Sequence, residues 1–251
     1  MNKTYFLMAA VGALSVQAHA ERLPVDTTAQ LKLGLNLSHS NDAYKSDSAL
    51  AVAPHGFYDN HRWYIEGGEA GYYPYKDNQH HARLGIAYDG TSFDPDDAHL
   101  DIKGLDERKA SVMAHASYMY VSPIGGFKAK IATDALSRHD GTVVTLSHIS
   151  RFKKDKFTIY PSFGVAWQDK HYNNYYYGVS AGESVRTGVS EYKAGDGISP
   201  FASVMVNYDM NDRISVFANQ RIEWLSSAQK DSPMTDDKLA STTRLGVSYQ
   251  F

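Results

Sequence analysis

Eleven histidines and 28 acidic residues are the first places to look for chemistry in this chain. His80-His81 offers two adjacent imidazoles, but neighbours on a strand point to opposite faces and converge poorly on one metal ion. The pair reads as a polar turn leading into a strand. Asp94-Pro95-Asp96-Asp97 with Asp101 is acidic enough for calcium, yet it lacks the D-x-D-x-D-G spacing and closing glutamate of a calcium loop. It reads as a solvated loop. Ser147-His148 and His139-Asp140 would supply a nucleophile and a base, and again sequence neighbours diverge. No G-x-S-x-G or H-E-x-x-H is present, and the chain has no cysteine. The expectation is a protein without metal, cofactor or catalytic residues.

Two other groups stand out. The segment 171–183 is rich in tyrosine, with Tyr172, Tyr175, Tyr176 and Tyr177 followed by Glu183. Tyrosine gives large contact area at low entropic cost, so this is a candidate recognition loop, with an aromatic girdle at a strand end as the alternative. The second group is the set of isolated charges Arg83, Asp89, Arg221, Glu223 and Arg244, whose meaning depends on the elements that carry them.

Those elements follow from composition and periodicity. The 251 residues carry a net charge of −3, which argues against a nucleic-acid partner. The mean hydropathy of −0.43 rules out a bundle of transmembrane helices. Residues 1–20 have the three parts of a cleaved signal peptide: Lys3, an apolar core from Tyr5 to Leu14, and Ala18-His19-Ala20. Residues 21–30 would be a periplasmic N-terminal segment and 31–251 the folded unit. A secreted chain of this size without cysteine fits a Gram-negative envelope.

Alternation at two-residue spacing recurs through the mature chain. Leu31, Leu33, Leu35 and Leu37 alternate with polar or small residues, as do Phe157, Ile159, Phe163, Val165 and Trp167. The last strand repeats the pattern through Leu245, Val247, Tyr249 and Phe251. Several segments reach the roughly 9–11 residues of a tilted membrane strand. Aromatic residues gather near segment ends (Trp63, Tyr64, Tyr72, Tyr73, Tyr118, Tyr120, Trp167, Trp224), as interfacial girdles do. Open sheet edges are not viable in hydrocarbon, so the sheet should close. The sequence predicts a closed antiparallel transmembrane β-barrel in the outer membrane, all-β, with about twelve strands and ten as the alternative.

Eleven segments are legible, one of them spanning 62–75. Even strand numbers are the rule for bacterial barrels, so a strand is miscounted within 31–75 or hidden in 170–197. Short turns near 121–125, 153–155 and 209–212 should be periplasmic, and the long connections 93–107, 170–197 and 227–238 extracellular. Arg83, Asp89, Arg221, Glu223 and Arg244 then face the lumen. Their mixed signs suit either a selective pore or an interior filled and braced by ion pairs, and a barrel this small is read as filled or narrow. The alternating end with Tyr249 and the terminal Phe251 resembles the signal by which outer-membrane proteins reach the barrel-assembly machinery. Outer-membrane lipid and lipopolysaccharide are its expected surroundings.

Tyr172-Asn173, Tyr175-Tyr176-Tyr177-Gly178-Val179-Ser180 and Glu183, with Tyr192-Lys193-Ala194-Gly195, resemble the MipA/OmpV family of outer-membrane proteins. Gly104-Leu105-Asp106-Glu107-Arg108 and Lys230-Asp231-Ser232-Pro233-Met234 resemble it too. Tyr44-Lys45-Ser46-Asp47 departs from the family's Tyr-x-Gly-Ser-Asp by lacking the glycine. The resemblance implies a non-enzymatic barrel that scaffolds a lytic transglycosylase and a penicillin-binding protein. The alternatives are a narrow pore for small solutes or antibiotics, and a surface adhesin.

Overall fold

The computed structural model describes residues 29–251. The signal peptide and most of the 21–30 segment lie outside the described residues. The alternating segments form strands β1 (Gln30–Asn41), β2 (Ala49–Asp59), β3 (Trp63–Glu66), β4 (Glu69–Lys76) and β5 (His80–Asp89). They continue with β6 (Ser111–Ser122), β7 (Gly125–Asp134), β8 (Thr142–Ile149), β9 (Phe152–Lys154) and β10 (Phe157–Gln168). The last three are β11 (Gly197–Asp209), β12 (Ile214–Trp224) and β13 (Leu239–Gln250). Every pairing is antiparallel. β10 pairs with both β8 and β11, which closes the sheet.

β8 and β9 both pair with β10 and are two halves of one stave interrupted at Ser150-Arg151, so the barrel has twelve. The miscounted strand lies in 62–75. That stretch is a hairpin, β3–β4, whose tip is Gly67-Gly68, with Gly67 at φ +59°. Without a Cβ a glycine adopts this left-handed turn freely, and the hairpin signal was missed because eight of its residues are apolar or aromatic. The second suspected location, 170–197, holds helices α1 (Lys170–Tyr177) and α2 (Ala181–Thr187). α3 (Ser227–Lys230) sits in the next long connection.

Register sorts side chains by parity. Leu33, Leu35 and Leu37 pair with Tyr249, Val247 and Leu245, and all six are exposed on the outer face. Such an apolar belt is what lipid contact demands. Trp63, Tyr72, Tyr118, Tyr120 and Trp224 also project outward and exposed. Tyr64 and Tyr73 do not belong to the girdle. Both are buried, with Tyr64 opposite Gly71 on the inner face. Gly71 in turn faces Gly85. A Cβ on Gly85 would lie 2.8 Å from the Tyr64 hydroxyl, so the ring lies across the wall only because this position has no side chain.

Both ends of the barrel chain meet at one rim, since Leu33 pairs with Tyr249 and Phe251 N–H donates to Leu31 O. Apart from the Gly67-Gly68 tip, the short turns lie at this rim and the long connections at the other. Outer-membrane barrels place short turns in the periplasm, which makes the opposite end extracellular. The cluster of buried apolar residues is not in the barrel wall. It lies among the extracellular connections: Tyr44, Phe93, Ile102, Leu105, Tyr172, Tyr176, Tyr177, Val179, Leu225 and Met234.

Candidate functional site: an extracellular plug above a charged lumen

α1 starts where Asp169 accepts from Tyr172 N–H at 2.9 Å, an N-cap that satisfies one orphan donor of the first turn. Its spacing puts Tyr172, Asn173, Tyr176 and Tyr177 on one buried face. The expected recognition loop is therefore a packed helix. Tyr172, Tyr176 and Tyr177 are turned in, and Tyr175 is half-buried and accepts Lys109 N–H. Eight residues alternate too briefly to reveal a helix from sequence, although Asp169 and the i, i+4 tyrosines were the available signal.

The tyrosines meet one of the lumen charges. Tyr172 and Tyr176 hydroxyls donate to Asp89 at 3.4 and 3.3 Å, and Thr91 Oγ1 donates to the same carboxylate at 3.0 Å. The tyrosine face thus seats on the inner rim of β5. Burial and the neighbouring Asp89 raise the Tyr172 phenol well above its ordinary value, so it stays protonated as a donor.

Glu183, the fifth residue of that group, is the centre of a clamp. Ser180 and Glu183 form a capping box at the start of α2. The Glu183 carboxylate also accepts from Arg108 Nη2 at 2.6 Å and from Asp106 N–H at 3.0 Å. Both partners of the ion pair are buried. Burial alone would raise the Glu183 carboxyl, but hydrogen bonds from Ser180, Arg108 and Asp106 hold it down at about 2. Arg186 Nη2 adds an ion pair to Asp106 at 2.6 Å. The two segments 104–108 and 178–183 are thus the halves of one contact.

The other segments singled out in the sequence join the same body. Ser232 Oγ donates to Tyr177 O at 2.6 Å, and Met234 is fully buried. Val179 bridges to Tyr192, and Asn173 Nδ2 donates to Gly195 O at 2.8 Å. Tyr44 stacks on Tyr177, its ring 5.3 Å away, and its hydroxyl donates to Tyr176 O. The first loop closes on the plug without the glycine.

Below the plug the inner wall from β2 to β7 is densely charged. Lys76 Nζ donates to both Asp59 oxygens at 2.8 and 2.7 Å. Arg83 pairs with Glu66 at 2.7 Å and lies 4.6 Å over the Tyr64 ring. Lys130 pairs with Glu69, while Lys128 and His115 lie 3.9 and 3.8 Å from the same carboxylate. Apart from Arg83 these residues were missed in the sequence, although the alternation of Lys128 and Lys130 with Phe127, Ala129 and Ile131 carried the signal. Glu66, Glu69, Lys128 and Lys130 line a lumen pocket of about 350 Å³.

The opposite wall is different. Arg221 pairs with Glu223 at 2.7 Å along its own strand, and Arg244 faces inward between Asn219 and Ser38 and is exposed. The five lumen charges read from sequence therefore all face inward but do not converge: Asp89 holds the plug, Arg83 belongs to the charged wall, and three stand across from it. His80 and His81 split to opposite faces, His80 against Tyr118 outside and His81 inside opposite Met119, although His80 already lies in β5 and not in a turn. Ser147 faces in and His148 faces out. At the periplasmic rim Tyr249 and Phe251 are both exposed, with rings 4.9 Å apart.

A family model described as MltA-interacting protein MipA matches residues 33–251. The chain belongs to this family. It is 28% identical over 236 residues to the MltA-interacting protein of Escherichia coli, covering 93% of this chain and 92% of that one. It is 26% identical to the outer membrane protein OmpV of Vibrio cholerae, over 64% of this chain and 62% of that one. Among solved structures it is similar to the NanC porin, with 11% identity, a TM-score of 0.46, and 87% and 100% of the two chains covered. This MipA-family chain is a β-barrel of the outer membrane.

Proposed function

We propose that this barrel is a non-enzymatic scaffold that holds murein-processing enzymes at the inner face of the outer membrane. The observation that carries the reading is a basic hairpin at the periplasmic rim. β9 pairs only with β10 and runs past the end of β7 at Gly125. Arg151, Lys153, Lys154 and Lys156 lie on this projection, and all are exposed. Four cations on a hairpin whose β10 strand is held on its other side by β11 make a steering surface for an acidic partner. The extracellular end, by contrast, is committed to the plug. The name of the Escherichia coli relative supports a lytic transglycosylase, MltA, as the partner class, and a penicillin-binding protein is the further candidate.

Capture of purified MltA on the detergent-solubilised barrel tests this. Replacing Lys153, Lys154 and Lys156 by Glu should lower capture at least tenfold while the barrel keeps its heat-modifiable mobility on gels. Undiminished capture would remove the hairpin from the reading, and no capture by the unaltered barrel would remove the scaffold.

A narrow pore is the second reading, supported by the charged pocket beneath the plug. Planar-bilayer recording tests it, and an electrically silent barrel would sink it. An adhesin built on Tyr172, Tyr176 and Tyr177 gains no support from their buried setting.

A further inference from the structure

The barrel wall has a gap. β2 pairs with β1 along its length, from Ala49 to Asp59, but with β3 only at Phe57, Tyr58 and Asp59. Among the described residues no strand pairs with Ala49–Gly56 on the side away from β1. The cause is the short β3–β4 hairpin, whose Gly68 O accepts from Tyr88 N–H one residue before β5 ends at Asp89, while β2 runs on up to Ala49. At the level of that tip the end of β5 stands three strand spacings from β2, about 14 Å between axes.

β2 and the Tyr88 end of β5 are the walls of the gap, and Gly67-Gly68 is its sill. The 97–101 segment is tied to the first loop, next to the upper end of β2, by the Ser46–Ala98 bridge, His99 N–H to Lys45 O at 2.8 Å, and the Lys45–Asp101 ion pair at 2.9 Å. Leu50, Val52 and Tyr88 flank the gap on the outer face, 69%, 70% and 64% exposed. The lipid-facing band therefore runs alongside the opening.

An open strand edge cannot stand in hydrocarbon, because its amide and carbonyl groups find no partner there. It can stand where it borders a water-filled lumen. Two features fit that setting. Pro54 lies in the unpaired stretch and brings no N–H to it, and Ala51, which faces inward opposite Ser38, is nonetheless exposed. The lumen pocket reaches the gap as well, since Glu66, Glu69, Lys128 and Lys130 line it together with Gly68 of the sill and Tyr88.

We infer that the gap between β2 and β5 is a side portal through which an amphiphile with a zwitterionic head enters the lumen pocket from the outer leaflet. Two carboxylates and two ammonium groups present both signs to such a head, and the flanking Leu50, Val52 and Tyr88 leave the tail in the membrane. Portal and scaffold are separate properties, at opposite rims.

The absence of cysteine allows single-site labels. A bimane on Ala51→Cys is read in proteoliposomes containing phosphatidylcholine with a nitroxide on its acyl chain. Ser203→Cys, facing inward on β11, and Leu245→Cys, facing lipid on β13, give the two limits. Ala51→Cys should be quenched at least threefold more than Ser203→Cys. Quenching equal to Ser203→Cys would overturn the portal, as would a crosslinkable dimer covering the β2 edge. Lengthening β3 and β4 by eight residues each carries the pairing up to Ala49 and should abolish the quenching. Its persistence would overturn the assignment of the path. Equal quenching by a nitroxide diacylglycerol, which has no charged head, would overturn the zwitterion preference.

Discussion

The plug and the lumen wall hold charges in opposite ways. In the plug, Arg108 and Glu183 are buried together, each with further hydrogen bonds, inside a body of tyrosines and aliphatic side chains. On the far lumen wall, Arg221 and Glu223 pair on the inner face, a quarter to a third exposed. A buried pair strongly penalises the loss of one partner, whereas a solvated pair contributes little. The barrel therefore does not need the Arg221–Glu223 pair to stand. Backbone pairing around a closed sheet and the lipid-facing belt hold the wall, and the packed core has moved to the loops. The lumen is left free to carry charge for other reasons, and the plug is where substitutions should be felt.

The largest effect is expected at the clamp. Arg108→Met leaves a buried Glu183 without its cation and should destabilise the plug by about 3–5 kcal/mol. The measurement is hydrogen exchange over 170–195, with barrel mobility on gels unchanged. Adding Glu183→Leu should recover most of the loss, and no recovery would mean that the clamp is not a coupled pair. Met234→Ala, at a fully buried site in the plug's apolar cluster, should cost about 2–5 kcal/mol by the same readout.

Acid should loosen the plug. The Glu183 carboxyl sits at about 2, below the 4.5 of a free glutamate. A depressed value contributes stability that is complete above pH 4.5 and is lost as pH falls through 2. Protease cleavage within 170–195 should thus rise between pH 4.5 and 2, using an acid-active protease, and Glu183→Gln should flatten that dependence. Ser180→Ala, which removes one half of the capping box, should cost about 1 kcal/mol. The smallest effect belongs to the lumen: Arg221→Gln should change stability by less than about 1 kcal/mol. A loss as large as that of Arg108→Met would erase the distinction between the two regions.

The barrel was legible in the sequence because a strand's two faces meet different solvents, so a period of two is written directly into residue order. β1, β10, β12 and β13 carry it plainly, and the inward direction of Arg83, Asp89, Arg221, Glu223 and Arg244 follows from it. The resemblance read on 104–108, 172–183, 192–195 and 230–234 was also visible there, and those segments turned out to be the parts of one plug.

What residue order could not contain is which distant segments meet. Arg108 and Glu183 are separated by 75 positions, and Tyr44 and Tyr176 by 132. Exposure of a tyrosine-rich stretch is likewise a property of what covers it, so a reading of 171–183 as a loop surface gave way to a buried helical face. The register between β2 and the β3–β4 hairpin is a third such case. Periodicity gives each strand its faces, but only the closed sheet shows where a short hairpin leaves its neighbour unpaired.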